Sequence, residues 1–474
     1  MADSSSEARD FIRKLSGFSV GPVVNGLLGL VSVPLITWLI DPEALGRASM
    51  YGTATGIIGT VLYLGLDNSY FRYFQEDEHR SLFGHSIALP LLLSVVFAVA
   101  ILFAAGPVSR LLFGETDIVA AAVVAIAVPV MVLFRFSAAA MRAHELGLKF
   151  SLSRILEKIA MLAFLLVFAL AIERSYRAVV IATAGAMLVA TVVQLWWSRA
   201  AWSLSFSFDR ALLRKLLKFG LPVVPAAALG WVFSSIDKVS LRALSTFQEL
   251  GIFAGATRVA GMLTIVSTAF GSFWPPVAYR WWASQDSDHR FRAVSRYTSA
   301  GIAAVFAALI VARPLIMLLL PGSYDAAERL IPFLFLVPSM TIVSTVTVMG
   351  VFFHKRSHYH IWVSLGAAIL NTIGNLLLIP RMGALGAAVS TGVSYIGFFW
   401  LRTLLSYRHW KVLEMAVHVK NTILMLAIAF TVFLQPVAST IVGGTIFVVI
   451  ILLNGRDLIQ LSRTVLRGLR KQTL

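Results

Sequence analysis

The chain has 474 residues, of which 58% are hydrophobic and 13% are charged, a composition that excludes an ordinary water-soluble fold. It contains no cysteine, which excludes disulfides, zinc-thiolate sites, iron–sulfur clusters and thiol catalysis. The formal net charge of +17 comes from basic residues between long apolar runs, so it indicates orientation in a membrane and not binding to nucleic acid.

Fourteen apolar runs follow one another along the chain. Taking about 18 largely uncharged residues as one membrane span, we predict spans over 15–40, 50–70, 83–108, 118–139, 155–172, 178–197, 221–241, 250–270, 299–320, 331–353, 361–379, 384–404, 416–433 and 437–453. The polar residues 1–10 are followed by no cleavage site, so the first span is predicted to be retained. At about 20 residues each, fourteen spans use roughly 280 residues, which leaves no room for an extramembrane enzyme domain.

The basic residues orient these spans. With the N-terminus inside, 29 of the 40 Lys and Arg residues fall in cytosolic segments or at the cytosolic ends of spans, and nine fall in outer loops or at the outer ends of spans. The remaining two, Arg135 and Arg258, are the ones assigned to span interiors. Because positive charge collects on the cytosolic side of membrane proteins, both termini are predicted to be cytosolic.

The two halves of the chain repeat each other weakly. Gly46 matches Gly251 at an offset of 205, and Gly114 matches Gly322 at an offset of 208. Six spans in each half give both halves the same orientation, so the axis relating them runs along the membrane normal. The predicted fold is an all-α polytopic membrane protein of about 14 transmembrane helices. It has six-helix bundles at 1–200 and 221–407 in a parallel pseudo-twofold repeat, a cytosolic linker at 201–220, and two extra helices with a basic tail at 408–474.

The linker is predicted to form an amphipathic helix in the inner headgroup layer. One face carries the cations Arg210, Arg214 and Lys218. The other face is apolar and consists of Phe208, Leu212, Leu213, Leu216 and Leu217.

Prolines in corresponding spans of the two halves are candidate gating elements. Pro22 and Pro34 lie in the first span, and Pro222 and Pro225 lie in the seventh. Proline removes a backbone donor and bends a helix, and paired broken helices indicate a transport site. The alternative is a static kink that aids packing.

Two arginines inside predicted spans are candidate substrate-binding residues. Arg258 lies about eight residues inside the eighth span, and Arg135 lies in the inner half of the fourth. A charge within the bilayer costs about 2.5–3.5 kcal/mol, so it should face a polar cavity or a partner. A guanidinium facing a cavity would bind phosphate oxygens. The alternative is a structural arginine with Asp67 or Asp237 as its counter-ion.

The embedded acids are candidates for ion coupling. Asp67 lies near the inner end of the second span and Asp237 near the outer end of the seventh, where a helix-end charge is the alternative reading. Glu157, at the start of the fifth span, is either part of a polar cavity wall or an interfacial charge near Arg142 and Lys149.

Histidine and tryptophan residues cluster at predicted cytosolic ends. The loop with His354, His358 and His360 lacks an adjacent carboxylate, so a basic loop near lipid phosphates is favoured over a metal site. Four aromatic residues near the inner end of the eighth span are predicted interfacial anchors, with stacking on sugar rings as the alternative; they are Trp274, Tyr279, Trp281 and Trp282.

Enzyme motifs are missing from the sequence. It contains no Walker A lysine motif, no His-Glu-x-x-His, no Gly-x-Ser-x-Gly and no acid/base dyad of carboxylates in one loop. We therefore expect a protein that is not an enzyme and needs no cofactor.

Several motifs resemble those of one transporter family. Residues 34–46 read Pro-Leu-Ile-Thr-Trp-Leu-Ile-Asp-Pro-Glu-Ala-Leu-Gly, and residues 375–388 read Asn-Leu-Leu-Leu-Ile-Pro-Arg-Met-Gly-Ala-Leu-Gly-Ala-Ala. With residues 65–73, 218–222, 235–238 and 251–253, they resemble the Wzx-like polysaccharide flippases of the multidrug/oligosaccharidyl-lipid/polysaccharide (MOP) exporter superfamily. The likeness runs over about residues 15–405.

This resemblance implies a MATE/MurJ-like fold and a function. The expected protein moves undecaprenyl-pyrophosphate-linked oligosaccharide from the cytosolic to the outer leaflet of the bacterial inner membrane. Its expected partners are the lipid-linked oligosaccharide, membrane lipids and other polysaccharide-assembly proteins, and it is expected to be a monomer. The alternatives are a multidrug/cation antiporter of the same superfamily, a membrane enzyme or assembly protein of the same pathway, and a lipid scramblase.

Overall fold

The computed structural model describes residues 24, 26–75, 81–199, 209–284 and 287–472, with side chains through residue 463. Helices hold most of these residues, and no β-strand occurs among them. The helices of the first part are α1 (Gly26–Leu39), α2 (Pro42–Leu62), α3 (Leu66–Tyr73), α4 (Leu82–Phe103), α5 (Ala105–Phe113), α6 (Ile118–Ala143), α7 (Gly147–Ala171), α8 (Tyr176–Trp197) and α9 (Arg210–Gly220). Those of the second part are α10 (Val224–Leu244), α11 (Phe247–Trp282), α12 (Asp288–Val311), α13 (Arg313–Met317), α14 (Ala327–Thr347), α15 (Met349–Phe353), α16 (Tyr359–His409), α17 (Met415–Phe430) and α18 (Pro436–Gln472).

The predicted spans coincide with these helices. Ten helical segments in the described ranges are long and apolar enough to cross a membrane. One of the ten, α16, is 51 residues long and contains two predicted spans on either side of Gly383. The all-α polytopic class is confirmed, and the count of fourteen crossings stays a prediction. Pro22, the start of the first span and residues 201–208 of the linker lie outside the described residues.

Two compact units divide the chain between Arg242 and Ala243. In the first unit, α6 packs against α2, α4 and α8. In the second unit, α14 packs against α11, α12 and α16. These partners are the second, third and sixth spans of one predicted half and their counterparts in the other. The internal packing of each unit is therefore compatible with the predicted duplication, whose axis and boundaries stay predictions.

Within the first unit, the predicted second span is interrupted where it meets the linker helix. Leu64 and Gly65 adopt positive φ angles of 52° and 67°, which end α2 and start α3. A Cβ on Gly65 would lie 2.2 Å from the carbonyl oxygen of Gly220, so the two backbones meet where α9 ends. Glycine is required at residue 65 by both its conformation and this contact. The predicted span 50–70 therefore consists of parts of two helices, α2 and α3, joined at Leu64 and Gly65.

The linker helix has the predicted two faces over the part that the structure describes. Leu212 and Leu216 of α9 are buried against α3 and α4, whereas Arg210, Arg214 and Lys218 are exposed. Asp209 caps the helix by accepting hydrogen bonds from the backbone nitrogens of Ala211 and Leu212 at 2.8 and 3.1 Å.

In the second unit, a carboxylate accepts a backbone hydrogen bond at the break in α16. Gly383 has φ 55° and ψ −131°, and the backbone nitrogen of Ala384 donates to Oε2 of Glu249 at 2.7 Å. Glu249 lies in the first turn of α11, where Thr246 caps the helix. A Cβ on Gly386 would lie 2.5 Å from the carbonyl oxygen of Leu378, so the arms of α16 approach closely here. These contacts explain the glycines of residues 375–388.

Polar side chains join α17 and α18 to α12. Arg296 of α12 donates to Glu414 Oε2 at 3.1 Å and to Asp457 Oδ1 of α18 at 2.9 Å. Deeper along the same helices, three further bonds follow: Ser295 with His418 at 2.8 Å, Asn421 to Ser299 at 2.9 Å, and Asn454 to Asn421 at 3.0 Å. The last two helices are thus attached to the second unit by specific bonds.

Candidate functional site

Arg258 lies in the second turn beyond the start of the predicted eighth span, on α11 of the second unit. Its neighbours on the helix, Val259 and Ala260, are buried, and its guanidinium is within electrostatic range of Tyr324. Among the described residues, no carboxylate lies within ion-pair distance of Arg258 and no hydrogen bond to it occurs. Arg258 thus has no carboxylate counter-ion among the described residues, and its role in substrate binding stays a prediction.

Arg135 of the first unit has a carboxylate partner. Its Nη2 lies 2.6 Å and its Nε 2.8 Å from Oδ2 of Asp67. The side chain of Asp67 is only 4% exposed, whereas that of Arg135 is 45% exposed. Asp67, which was one of the two counter-ions weighed from the sequence, is thus the partner, and part of the Arg135 guanidinium stays accessible.

Two further arginines lie close to this pair. Arg142 follows Arg135 by two turns on α6 and is within electrostatic range of Arg135, Asp67 and Arg154. Arg154 of α7 binds Glu157 at 2.8 Å, an ion pair within one helical turn. From the sequence, Arg142 was expected only as a charge near Glu157 at the membrane interface. The seven-residue spacing from Arg135 was the signal that could have placed both on one face.

Each of these arginines lies over an aromatic ring. Arg135 is 5.6 Å from the ring centre of Tyr63, and Arg154 is 4.9 Å from that of Phe134. Arg142 lies 4.8 Å from Phe71 and 5.6 Å from Phe150. Stacking of this kind holds the guanidinium planes in place while their edges stay free to bind. We call Arg135, Arg142 and Arg154, with their partners Asp67 and Glu157, the α6–α7 arginine cluster.

Each of the three candidate coupling acids has an interacting partner. Asp67 binds Arg135, and Glu157 binds Arg154. Asp237 of α10 is 8% exposed and also has an interacting partner. Their role in ion coupling stays a prediction.

The candidate gating prolines lie at different kinds of position. Pro222 lies in a 3-10 turn, Leu221–Val223, which connects α9 to α10, and Pro225 lies in the first turn of α10. Pro34 lies within α1. Pro222 follows Gly220, which contacts Gly65, by two residues, so the seventh span starts beside a close backbone contact within the first unit.

The aromatic residues of α11 form a packed cluster. Trp274 is 2% exposed and contacts Phe291 and Trp281 edge to face at 6.1 and 5.6 Å. It therefore belongs to the core, and its predicted role as an interfacial anchor was wrong. Tyr279 and Trp282 are 48% and 40% exposed, as an anchor requires.

His354 lies beside this cluster, 5.8 Å from the ring of Trp282, and its Nδ1 bonds to the carbonyl oxygen of Gly350 at 2.8 Å. In the described part of the chain, no group of three His, Cys, Asp or Glu side chains is placed to hold a metal ion.

A second polar group lies at the opposite end of the first unit, at the start of α6 and α8. Asp117 is 3% exposed, caps α6 through Ala120, and accepts hydrogen bonds from Arg177 Nε at 2.6 Å and from the Tyr176 hydroxyl. Burial alone would raise the pKa of Asp117, but the bonds from Arg177, Tyr176 and Ala120 outweigh burial and lower this pKa below its ordinary value. The Asp117 carboxylate is therefore a stabilising charge at neutral pH.

Comparison with known proteins decides the family. The family model described as "Polysaccharide biosynthesis protein" matches residues 12–281, more than half of the chain. The chain belongs to this polysaccharide biosynthesis family. It is also 24% identical, over 393 residues, to the protein named Lipid III flippase of Escherichia coli (strain K12); the match covers 79% of this chain and 92% of that protein.

Solved structures share the fold of this family member. The Lipid II flippase MurJ in an inward closed conformation superposes with a TM-score of 0.69 at 12% identity, covering 93% of this chain and 99% of that one. An inward-facing MATE family multidrug resistance transporter of the MOP superfamily superposes with a TM-score of 0.60 at 16% identity, covering 83% and 95%. These superpositions confirm the MATE/MurJ-like fold. The family model and the Lipid III flippase match bear out the resemblance that the sequence motifs indicate.

Proposed function

We propose that this protein translocates undecaprenyl-pyrophosphate-linked oligosaccharide repeat units across the bacterial inner membrane by alternating access, for surface or exopolysaccharide synthesis. It would act without a cofactor and without catalysing a covalent step. Membership of the polysaccharide biosynthesis family and the likeness to a Lipid III flippase support a lipid-linked glycan as the cargo.

The observation that carries the proposal is the state of Arg258. A guanidinium within a membrane span costs about 2.5–3.5 kcal/mol, and in the described residues no carboxylate offsets that cost. The pyrophosphate of the carrier supplies the missing anion, and its oxygens suit the planar guanidinium fork. Arg135, which is 45% exposed beside Asp67, would add a second contact when the substrate reaches the first unit.

Deleting the gene tests the cargo. We expect lipid-linked repeat units to accumulate on the cytosolic face, and Arg258→Ala to reproduce part of the defect in the complemented strain. Normal surface polysaccharide in the deletion strain, together with sensitivity to drugs, would instead identify a cation antiporter.

Movement of the two predicted bundles requires bends and a source of energy. Pro34, Pro222 and Pro225 would supply the bends, together with Pro22. If a proton or sodium gradient drives the cycle, Asp67, Glu157 and Asp237 are the acids that would bind the ion. Neutralising all three should then abolish the dependence of transport on the gradient, and transport that keeps this dependence would remove these acids from the mechanism.

The absence of cysteine makes the predicted orientation easy to test. Ser357 is an exposed residue of a predicted cytosolic loop, and Ser323 is an exposed residue of a predicted outer loop. Single cysteines at these positions need no background removed. A membrane-impermeant maleimide should label Ser323→Cys in intact cells and Ser357→Cys only after permeabilisation. The reverse pattern would contradict cytosolic termini.

A further inference from the structure

The α6–α7 arginine cluster contains three guanidinium groups and two carboxylates, so one guanidinium has no carboxylate partner within it. Asp67 is bound to Arg135, and Glu157 is bound to Arg154. Arg142, which is within electrostatic range of Arg135, Asp67 and Arg154, has no ion pair with any described residue. Two of the three cations are thus matched by carboxylates, and the surplus charge rests on Arg142.

The two Nη groups of Arg142 also lack a hydrogen-bond partner among the described residues. Its Nε donates to the carbonyl oxygen of Ala138 at 3.3 Å. Its two Nη atoms make no hydrogen bond to any described residue. They are also not among the buried polar atoms without a partner, so they are accessible. Because Nε is already hydrogen-bonded, the accessible N–H groups of the two Nη atoms are the ones available to bind an anion.

Aromatic rings fix the direction of that edge. Phe71 of α3 and Phe150 of α7 lie 4.8 and 5.6 Å from the guanidinium carbon of Arg142. A side chain at a helix C-terminus that only snorkels to the interface needs no such support. Contacts with rings from two other helices restrict the rotamers of the Arg142 side chain before an anion binds. Less conformational entropy is then lost on binding, which favours tight binding.

Buried polar contacts also hold the helices that carry the cluster. Gln194 of α8 accepts a hydrogen bond from Ser137 of α6 at 3.0 Å and donates one to Ser153 of α7 at 3.1 Å. Ser137 is two residues from Arg135, and Ser153 directly precedes Arg154. The spacing between the α6 and α7 arginines is therefore set by a bonded triad whose members are all fully buried.

We propose that Arg142 is an anion-binding residue that takes a phosphate group of a lipid-linked pyrophosphate, with Arg135 and Arg154 within electrostatic range of it. This inference rests on the proposed function and gives it a binding residue beyond Arg258 and Arg135. The same chemistry would accept the phosphate of a membrane phospholipid, so the experiment must separate the two sources.

The test uses the full chain in nanodiscs of a zwitterionic lipid and measures binding of a short-chain prenyl pyrophosphate and of inorganic pyrophosphate. Arg142→Gln should weaken binding of both probes by about tenfold or more, because a charge-assisted, two-point contact is lost. Arg199→Gln is the matched control: Arg199 is also at a predicted cytosolic helix end, over Trp196 at 5.9 Å, but outside the cluster. It should leave binding unchanged.

Glu157→Gln tests the inference in the opposite direction. Removing the carboxylate that occupies Arg154 should tighten binding by about two- to fivefold, a gain that misfolding cannot produce. Unchanged binding by Arg142→Gln, or failure of the unmodified protein to bind either probe, would overturn the inference. Equal competition by phosphatidylglycerol at the same mole fraction would overturn its selectivity for pyrophosphate.

Failure of this inference can be told apart from failure of the proposed function. The deletion strain reports the cargo independently of any binding measurement. Accumulated lipid-linked units together with unchanged binding by Arg142→Gln would reject the role of Arg142 alone. Lack of accumulation would reject the cargo even if Arg142→Gln had lost pyrophosphate binding.

Discussion

Oε2 of Glu249 accepts a hydrogen bond from the backbone nitrogen of Ala384 at 2.7 Å, across 135 residues of sequence. The Glu249 carboxylate, three residues after the capping residue Thr246, is placed to reach back to the start of its own helix, as in a capping box. It reaches instead to the start of the second arm of α16, where Gly383 has left the helical conformation. One carboxylate thus fastens a helix break in a neighbouring segment.

Alanine at Gly383 should strongly destabilise the protein. The backbone of Gly383, with φ 55° and ψ −131°, is a conformation that costs a residue with a Cβ about 1–3 kcal/mol, and that Cβ would lie 2.5 Å from Oε2 of Glu249. We expect a clear drop in the thermal unfolding temperature of the purified protein. Gly261→Ala, in α11 with nothing within 4 Å of the new Cβ, is the control and should not lower that temperature. Equal effects of the two substitutions would contradict this account.

Alanine at Gly65 should destabilise the first unit. The added Cβ would lie 2.2 Å from the backbone oxygen of Gly220, so α3 and α9 would have to separate. We expect a loss of about 2 kcal/mol or more, measured as a lowered unfolding temperature and increased proteolysis near residues 64–65. Gly52→Ala, in α2 with open space around its Cβ, should be neutral or slightly stabilising. An unaffected Gly65→Ala variant would show that the backbones do not meet.

Replacing Arg258 should separate function from stability. Arg258→Met removes a charge that no described carboxylate matches, so the unfolding temperature should stay the same or rise while translocation falls. Arg296→Met is the comparison, because Arg296 binds Glu414 and Asp457 and its loss leaves both acids without this partner. Comparable destabilisation by both variants would mean that Arg258 has a structural role.

The Asp117 group predicts a particular dependence of stability on pH. Because its pKa is lowered in the folded protein, its stabilising effect is complete above the ordinary aspartate pKa of about 3.9 and is lost as the pH falls through the lower folded value. Asp117→Asn should therefore cost about 2–3 kcal/mol at pH 7, and its difference from the unmodified protein should shrink below about pH 4.

Thermal unfolding between pH 3 and pH 7 measures this effect. Glu43→Gln is the control, because Glu43 is 58% exposed and its ion pair with Arg47, at 2.8 Å, does not include Asp117, Tyr176 or Arg177. It should change stability by less than about 1 kcal/mol. A pH-independent difference for Asp117→Asn would contradict a role for the ionised carboxylate.

Hydropathy was enough to predict the helices, because a span needs only apolar residues over a sufficient length. The break in the second span was not predictable this way: it depends on the contact of Gly65 with Gly220, 155 residues later, which no local pattern encodes. The embedded position of Arg258 was visible from its apolar neighbours. The pairing of Arg135 with Asp67 instead required the packing of α3 against α6, so the sequence could offer Asp67 only as one of two counter-ions.

The environment of Arg142 could not be predicted from the sequence either. Its position near the end of an apolar run made it look like an ordinary interfacial charge. Only the fold shows that Phe71 and Phe150 hold its guanidinium and that the nearby acids bind other arginines. Whether a charged side chain is free depends on three-dimensional neighbours, which a single sequence does not give.

The ion pair between Arg296 and Asp457 also has a consequence for biosynthesis. The ribosome adds Asp457 161 residues after Arg296. Until α18 enters the bilayer, Arg296 lacks that partner, so the second unit can complete this bonding only after α18 has been made. Nascent chains that stop before α18 should therefore be recognised as incomplete by membrane quality-control proteases.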